Sequence, residues 1–263
     1  MDSLILCGGF ATRLEPITLF VPKPLLPIRG KPIIDYILEN VSSNGVKRIV
    51  ISTNSKFGDQ FNYWKVHREA VNGLHNKLEL IIEPTMHDGE KFGAIRGINY
   101  SIEKADFNDD LLIIAGDNFY DFDLSKLIGH FEKSRKPTIA VYDVKSLEEA
   151  KRFGVVTLKG DRVIEFQEKP ERPKSTLIST GIYIFPQEML RKFREYLNDK
   201  NNPDAPGYFV QWLIKYSELE AVVYRGKWFD VGTVDTYKKV FDMNLTPYVM
   251  KADSHQAKKN PTS

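Results

Sequence analysis

The chain has 263 residues, 42% of them hydrophobic and 27% charged, with a formal net charge of +2. That balance excludes a mostly disordered chain, and no excess of either charge calls for a nucleic acid polymer or a membrane surface as partner. A single cysteine, Cys7, excludes an intrachain disulfide and a thiolate metal cluster.

The start Met1-Asp2-Ser3 has neither the basic opening nor the apolar stretch of a secretory signal, and no later apolar run reaches membrane-spanning length. A cytoplasmic location is therefore expected. Ser3–Cys7 reads as a first strand, with Cys7 a small buried thiol. Residues 8–28, GGFATRLEPITLFVPKPLLPI, are poor at regular structure and suited to holding a ligand. Ile33, Ile34, Ile37, Leu38 and Val41 then share one helical face, opened by Pro32. Further strands are expected at Arg48–Thr53, Lys77–Glu83 and Leu111–Ala115. Leu124, Leu127, Ile128 and Phe131 repeat the helical spacing before a strand at Thr138–Val144. This alternation predicts an α/β fold with a Rossmann-like, mainly parallel sheet flanked by helices.

The second half reads differently. Val155–Leu158 and Arg162–Glu168 flank Lys159-Gly160-Asp161 as an antiparallel hairpin, and Leu177–Phe185 follows a Pro-rich loop as a third strand. This is an added antiparallel element. Helices are predicted at Gln187–Leu197 and Gly207–Tyr216, a strand at Ala221–Tyr224, and a last helix from Thr233 to Leu245. Residues 251–263 turn polar and read as a flexible tail.

In an open parallel sheet, ligands bind where the loops converge at the carboxyl ends of the strands. Gly8 and Gly9 leave the first strand and allow close approach of backbone N–H groups to an anion. Thr12 and Arg13 add a hydroxyl and a guanidinium for phosphate oxygens. Lys23 is held between Pro22 and Pro24, which restrict the backbone on both sides. Asp117 follows the fourth strand through Gly116, and Asp230 follows apolar Trp228 and Phe229. Two carboxylates from distant stretches suit a hard divalent cation such as Mg²⁺, with phosphates and water as its other ligands. Taken singly, each fits a helix cap or turn equally well. Glu168 and Lys169 set an acid beside a base just before Pro170.

Together these segments resemble the sugar-1-phosphate nucleotidylyltransferases, and among them the glucose-1-phosphate thymidylyltransferase and uridylyltransferase branch. Five motifs follow in that family's order: GGxxTRLxPxT, PKPLLPI, GDN, EKP and DxGT. The resemblance implies a nucleotidyltransferase domain over residues 1–250. It implies that Leu6, Gly8, Gly9, Ala11, Thr12, Arg13, Glu83, Gly89 and Asp117 hold the nucleotide. Gly154, Glu168, Lys169, Thr180 and Gly181 would hold the sugar phosphate, and Asp117 and Asp230 the Mg²⁺. Arg13, Lys23, Asp117, Lys169 and Asp230 would carry catalysis. The implied partners are a nucleoside triphosphate, UTP or dTTP first, and a sugar-1-phosphate, glucose-1-phosphate first. Relatives commonly assemble as dimers or tetramers, so a homo-oligomer is compatible with the resemblance.

The alternatives are a mannose-1-phosphate guanylyltransferase and a non-catalytic, nucleotide-sugar-binding regulatory homologue. Since the attacking phosphate is already ionised, no role is expected for His67, His75, His87, His130 or His255. Three departures from the family pattern stand out. Ala11 replaces a common third glycine, the turn after Glu83 is long, and Gly207-Tyr208-Phe209-Val210-Gln211 replaces an acidic segment before the penultimate helix.

Overall fold

The computed structural model describes residues 1–72 and 77–243. Strand β1 (Asp2–Cys7) is followed by two short ladder segments, β2 (Pro27–Ile28) and β3 (Lys31–Pro32), and by helix α1 (Ile33–Ser43). Then come β4 (Arg48–Asn54), α2 (Gly58–Asn72), β5 (Lys77–Glu83) and α3 (Ala94–Ala105). They are followed by β6 (Leu111–Ala115), β7 (Asn118–Tyr120), α4 (Ser125–Ser134) and β8 (Thr138–Asp143). The second half adds α5 (Leu147–Ala150), β9 (Gly154–Lys159), β10 (Arg162–Glu168) and β11 (Leu177–Phe185). It closes with α6 (Arg191–Asn198), α7 (Pro206–Leu213), β12 (Glu220–Tyr224), β13 (Trp228–Asp230) and α8 (Val234–Asp242).

The main sheet of the described residues has nine strands in the order β5-β4-β1-β6-β11-β8-β12-β10-β9. The first four are parallel, as the alternation of strands and helices predicts. β11 then enters antiparallel between β6 and β8, so β8 does not touch β6 as a simple parallel continuation would require. β9 and β10 form the expected antiparallel hairpin, which ends with Glu168 opposite Gly154. The fold is thus a mixed α/β sheet, mainly parallel at its N-terminal end.

Successive residues of the central strands face opposite sides and both sides are covered, so these strands are apolar almost throughout. Ile5, Ile49, Ile51 and Ile114 meet α1, α2 and α4 through Ile37, Leu38, Trp64 and Phe131. Leu4, Val50, Leu111 and Ile113 belong to the other core, with Ile98, Phe193 and Phe209 from α3, α6 and α7. A third, smaller core joins Leu14, Leu26, Ile28 and Ile33 to Phe119, Val231 and Val240. That last cluster fastens the long first loop to the opposite end of the chain.

Other differences from expectation have local causes. Gln187–Met189 forms a separate 3-10 turn before α6, after Pro186, instead of one helix from Gln187. Thr233 caps α8 by accepting a hydrogen bond from the Thr236 N–H at 3.2 Å, which is where the last helix was expected to start. Its expected end at Leu245 and the tail 251–263 lie outside the described residues. Among the described residues no helix is long and apolar enough to cross a membrane.

At the parallel end of the sheet, Arg48 grips Glu79 with two hydrogen bonds of 3.0 Å and also reaches Asp2 at 3.4 Å, linking β4 to β5 and β1. The hydrogen bond from Arg48 and, after it, the neighbouring positive charges pull the Glu79 carboxyl down to about 2, against the opposing effect of burial. A carboxyl lowered on folding stabilises the protein fully above its ordinary value and loses that contribution as pH falls through the folded value. Stability against urea should therefore decline between pH 4.5 and about 2. In Glu79→Gln that part of the profile should flatten, and an unchanged slope in the variant would refute the assignment.

Candidate active site

At the end of β6 the Gly116 N–H donates to the Leu6 carbonyl at 2.9 Å. A Cβ at Gly116 would stand 2.5 Å from Cys7 Sγ and 2.7 Å from that same carbonyl, so only glycine fits this crossing over β1. The turn delivers Asp117 to the carboxyl edge of the sheet. β7 then pairs with β13, matching Asn118 with Asp230, Phe119 with Phe229 and Tyr120 with Trp228. The Val231 N–H also donates to the Asp117 carbonyl at 3.1 Å. Two aspartates 113 positions apart are thereby made neighbours.

Lys23 closes on the first of them, with Nζ 2.6 Å from Asp117 Oδ2. Burial pushes the Asp117 carboxyl up, but the charge and hydrogen bond of Lys23, with help from Arg13, hold it below the ordinary aspartate value. Asp230 goes the other way. Burial first, and the charge of Asp117 second, raise it, and Lys23, Arg13 and Arg152 do not outweigh them. A carboxylate raised by a like charge is relieved by a shared cation. Asp117 and Asp230 are accordingly the residues suited to holding one. Among the described residues no three His, Cys, Asp or Glu side chains converge as a ready ligand set, so its other ligands would be substrate oxygens and water.

The long first loop supplies cations and amides to the same edge. Ala11 adopts the left-handed conformation at φ 53°, in place of the glycine common there. Its carbonyl accepts from the Leu14 N–H at 2.9 Å and from Thr18 Oγ1 at 2.8 Å. These bonds hold a conformation that costs a non-glycine residue about 1–2 kcal/mol. Thr12 and Arg13 occupy the exposed face of the following turn while Leu14 is buried beneath it. Lys23 opens another tight turn, anchored by buried Pro24 and Leu26.

Below Gly8 lies Glu83, 7% exposed, whose Oε1 accepts from Ser52 Oγ at 2.6 Å. That oxygen is 3.0 Å from where a Cβ at Gly8 would sit and 2.7 Å from one at Gly97. Burial raises the Glu83 carboxyl, opposed by the Ser52 hydrogen bond.

Glu168 and Lys169 build a second cluster at the end of β10. The Glu168 side chain is 6% exposed, and its Oε2 lies 3.0 Å from the Cβ position of Gly154 and 1.7 Å from that of Gly207. Any larger residue at Gly207 would occupy the place of the carboxylate. Gln211 completes the cradle, its Oε1 accepting from the Glu168 N–H at 3.0 Å. Burial raises the Glu168 carboxyl, and the charge of Lys169 opposes it. Lys169 itself is 58% exposed, with Nζ 4.0 Å from Glu168 Oε1. Thr180 and Gly181 sit in an irregularity of β11 and touch the Asp117 segment directly. The Thr180 carbonyl accepts from Asn118 Nδ2 at 2.6 Å, and a Cβ at Gly181, which has φ 79°, would stand 3.0 Å from Ala115 Cβ.

The structure thus joins the stretches carrying Arg13, Lys23, Asp117 and Asp230, places Glu83 under Gly8, and sets Glu168 beside Lys169 and Gly154. Gly89 stands apart in an exposed turn with nothing within 4 Å of its Cβ position. The glycine that starts α3 is Gly93, at φ 76°, where a Cβ would meet the Pro203 carbonyl at 2.6 Å. Its position one residue before an amphipathic helix was the available signal. Gly207 and Gln211, singled out in the sequence only as a departure from the family pattern, lie against Glu168, a contact that nothing in the sequence near them announces. His130 bonds Glu220 at 2.7 Å, away from these clusters, and His75 and His255 lie outside the described residues.

The Lys23–Asp117 pair yields a direct expectation. In Lys23→Met burial is left largely unopposed, so the Asp117 carboxyl should move from below the ordinary aspartate value to above it. Carbon-13 carboxyl shifts followed through a pH titration of the substrate-free protein would show this. An Asp117 resonance that still titrates low would remove Lys23 as the cause.

The nucleotidyl transferase family matches residues 2–246 of this chain. A glucose-1-phosphate adenylyltransferase of Mycoplasma mobile is 33% identical over 262 residues, covering 93% of this chain and 66% of its own length. A candidate mannose-1-phosphate guanyltransferase of Sulfolobus acidocaldarius is 29% identical over 240 residues, covering 91% of this chain and 62% of its own length. The chain spans less than two thirds of each of these relatives. In shape it is similar to a candidate glucose-1-phosphate thymidylyltransferase from Bacillus anthracis, solved with a sucrose, at a TM-score of 0.78 and 23% identity. That likeness covers 95% of this chain and 99% of the other, and it speaks for the fold. Because the family match runs from β1 past α8, through every loop that brings a residue to the carboxyl edge, the chain belongs to the nucleotidyl transferase family.

Proposed function

We propose that this chain transfers a nucleotidyl group from a nucleoside triphosphate to a sugar-1-phosphate. An oxygen of the sugar-1-phosphate attacks the α-phosphorus, the bond from that phosphorus to the oxygen bridging to the β-phosphate breaks, and pyrophosphate leaves with the electron pair. The attacking phosphate is already ionised near neutral pH, so no side chain has to remove a proton. What opposes the reaction is charge. Each close pair of unit negative charges costs about 4 kcal/mol at an effective dielectric near 20.

The observation that carries this reading is the meeting of Lys23 with Asp117, and of Asp117 with Asp230, at the sheet edge beside the Gly8–Arg13 loop. Amides of Gly8 and Gly9, with Thr12 and Arg13, receive the triphosphate, and Lys23 neutralises charge where displacement occurs. Lys169 receives the phosphate of the sugar phosphate. Glu168, Gly154, Thr180 and Gly181 face the sugar hydroxyls. Asp117 and Asp230 would hold Mg²⁺, which supplies positive charge to phosphate oxygens when bound. Glu83, as a buried acceptor under the nucleotide loop, matches the imide N–H of uracil or thymine. UTP or dTTP with glucose-1-phosphate is therefore the favoured pair. Guanine offers Glu83 similar donors, so a mannose-1-phosphate guanylyltransferase is the alternative.

The test is pyrophosphate release from a matrix of ATP, GTP, CTP, UTP and dTTP against glucose-, galactose-, mannose- and N-acetylglucosamine-1-phosphate with Mg²⁺. UTP or dTTP with glucose-1-phosphate should give the highest kcat/KM. Preference for GTP with mannose-1-phosphate would move the assignment, and nucleotide binding without any release would leave a regulatory binding protein. Asp230→Asn should lower kcat by about 100-fold or more while the urea midpoint stays close to that of the wild type. Undiminished turnover of that variant at saturating Mg²⁺ would end the role given to Asp230.

A further inference from the structure

Arg152 lies on the two-turn connection between α5 and β9, in none of the motifs that carry the family resemblance. That connection is firmly built. Ser146 caps α5 by accepting from the Glu149 N–H at 3.2 Å, and the N–H groups of Arg152 and Phe153 donate to the Glu149 and Ala150 carbonyls at 3.2 and 3.1 Å. The Phe153 carbonyl then accepts from the Lys169 N–H at 3.1 Å, tying this turn to the sugar-phosphate side of the site. The Phe153 ring meets Trp228 edge-on at 5.2 Å, and Trp228 stands two residues before Asp230 in β13. Through one residue, Phe153, the turn is fixed both to Lys169 and to the strand carrying Asp230.

The Arg152 guanidinium rests on the face of Phe153, 5.6 Å from the ring centroid, and is exposed. Among the described residues it makes no ion pair with a carboxylate, unlike Arg48, Arg68, Arg135, Arg162, Arg191 and Arg194. A planar cation held on an aromatic face, free of an acid partner and carried by the turn that is bonded to Lys169, is prepared for a phosphate dianion.

We infer that Arg152 is a second phosphate-binding residue on the acceptor side, receiving the phosphate of the sugar-1-phosphate together with Lys169. The inference rests on the proposed reaction for the identity of the ligand. It assigns the acceptor phosphate two cations from separate turns, both hung on Phe153. One of them, Arg152, offers paired N–H donors that a lysine lacks. The nucleoside triphosphate stays with the first loop.

Calorimetry on the full chain tests this with glucose-1-phosphate, mannose-1-phosphate, glucose and UTP as separate probes. Arg152→Met keeps an aliphatic stem against Phe153 and removes the charge, and Arg152→Lys keeps the charge. In Arg152→Met the Kd of the sugar phosphate bound by the wild type should rise about 10- to 100-fold. Arg152→Lys should recover part of that loss, and the Kd of UTP and the interaction with unphosphorylated glucose should not move. Unchanged sugar-phosphate affinity in Arg152→Met, an equal loss for UTP, or no capture of either sugar phosphate by the wild type would overturn the inference. Binding needs no turnover, so the two readings separate cleanly. A wild type that captures a sugar phosphate without releasing pyrophosphate defeats the reaction and leaves the Arg152 result standing. Turnover with an indifferent Arg152→Met defeats the inference alone.

Discussion

Three residue pairs of antiparallel ladder, Asn118–Tyr120 against Trp228–Asp230, bring the end of the β6 turn against a segment more than a hundred positions later. Without that ribbon Asp117 would sit at the carboxyl edge of the sheet alone. With it, two carboxylates share one location, where burial first and the like charge of Asp117 second raise Asp230 and make a cation welcome. The ribbon is short, and a two-stranded ladder is marginal by itself. Its support comes from Phe119 and Val231 in the third core and from Trp228 packed on Tyr142 and Phe153.

The surrounding charges are arranged so that the site is nearly balanced before any ligand arrives. Lys23 is paired with half-buried Asp117, and buried Glu168 stands near Lys169, so neither carboxylate is left without a cation close by. An unpaired ion in such surroundings would carry a desolvation cost of several kcal/mol by order of magnitude. The remaining positive groups, Arg13 and Arg152, are exposed. The rim of the site is therefore cationic, while Glu83 and Glu168 lie at depth.

Much of this was legible in the sequence because parallel strands and their loops are local statements. Leu111–Ala115 is apolar throughout and ends in Gly116-Asp117, which announces a buried strand followed by a polar turn, and the structure has both. Amphipathic spacing located α1 and α4 for the same reason. What escaped was non-local. β7 and β13 have three residues each, too few for a period of two to show, so the meeting of Asp117 and Asp230 was suggested by the chemistry of paired carboxylates and by resemblance, not by strand pairing. The insertion of β11 between β6 and β8 is a choice among sheet neighbours that no single strand encodes. Gly207 looked like an ordinary helix start because its partner, the Glu168 carboxylate, lies 39 positions earlier.

The third core has a mechanical meaning. Val240 of α8 shares it with Leu14 and Leu26, the buried anchors immediately beside Arg13 and close to Lys23. Tyr237 adds a strut, its hydroxyl donating to the Pro27 carbonyl at 2.6 Å. Helix α8, the last helix of the described residues, is thus coupled in series with the loop that bears those cations, and a force or an appended partner acting on α8 would be transmitted to the N-terminal loop without passing through the main sheet.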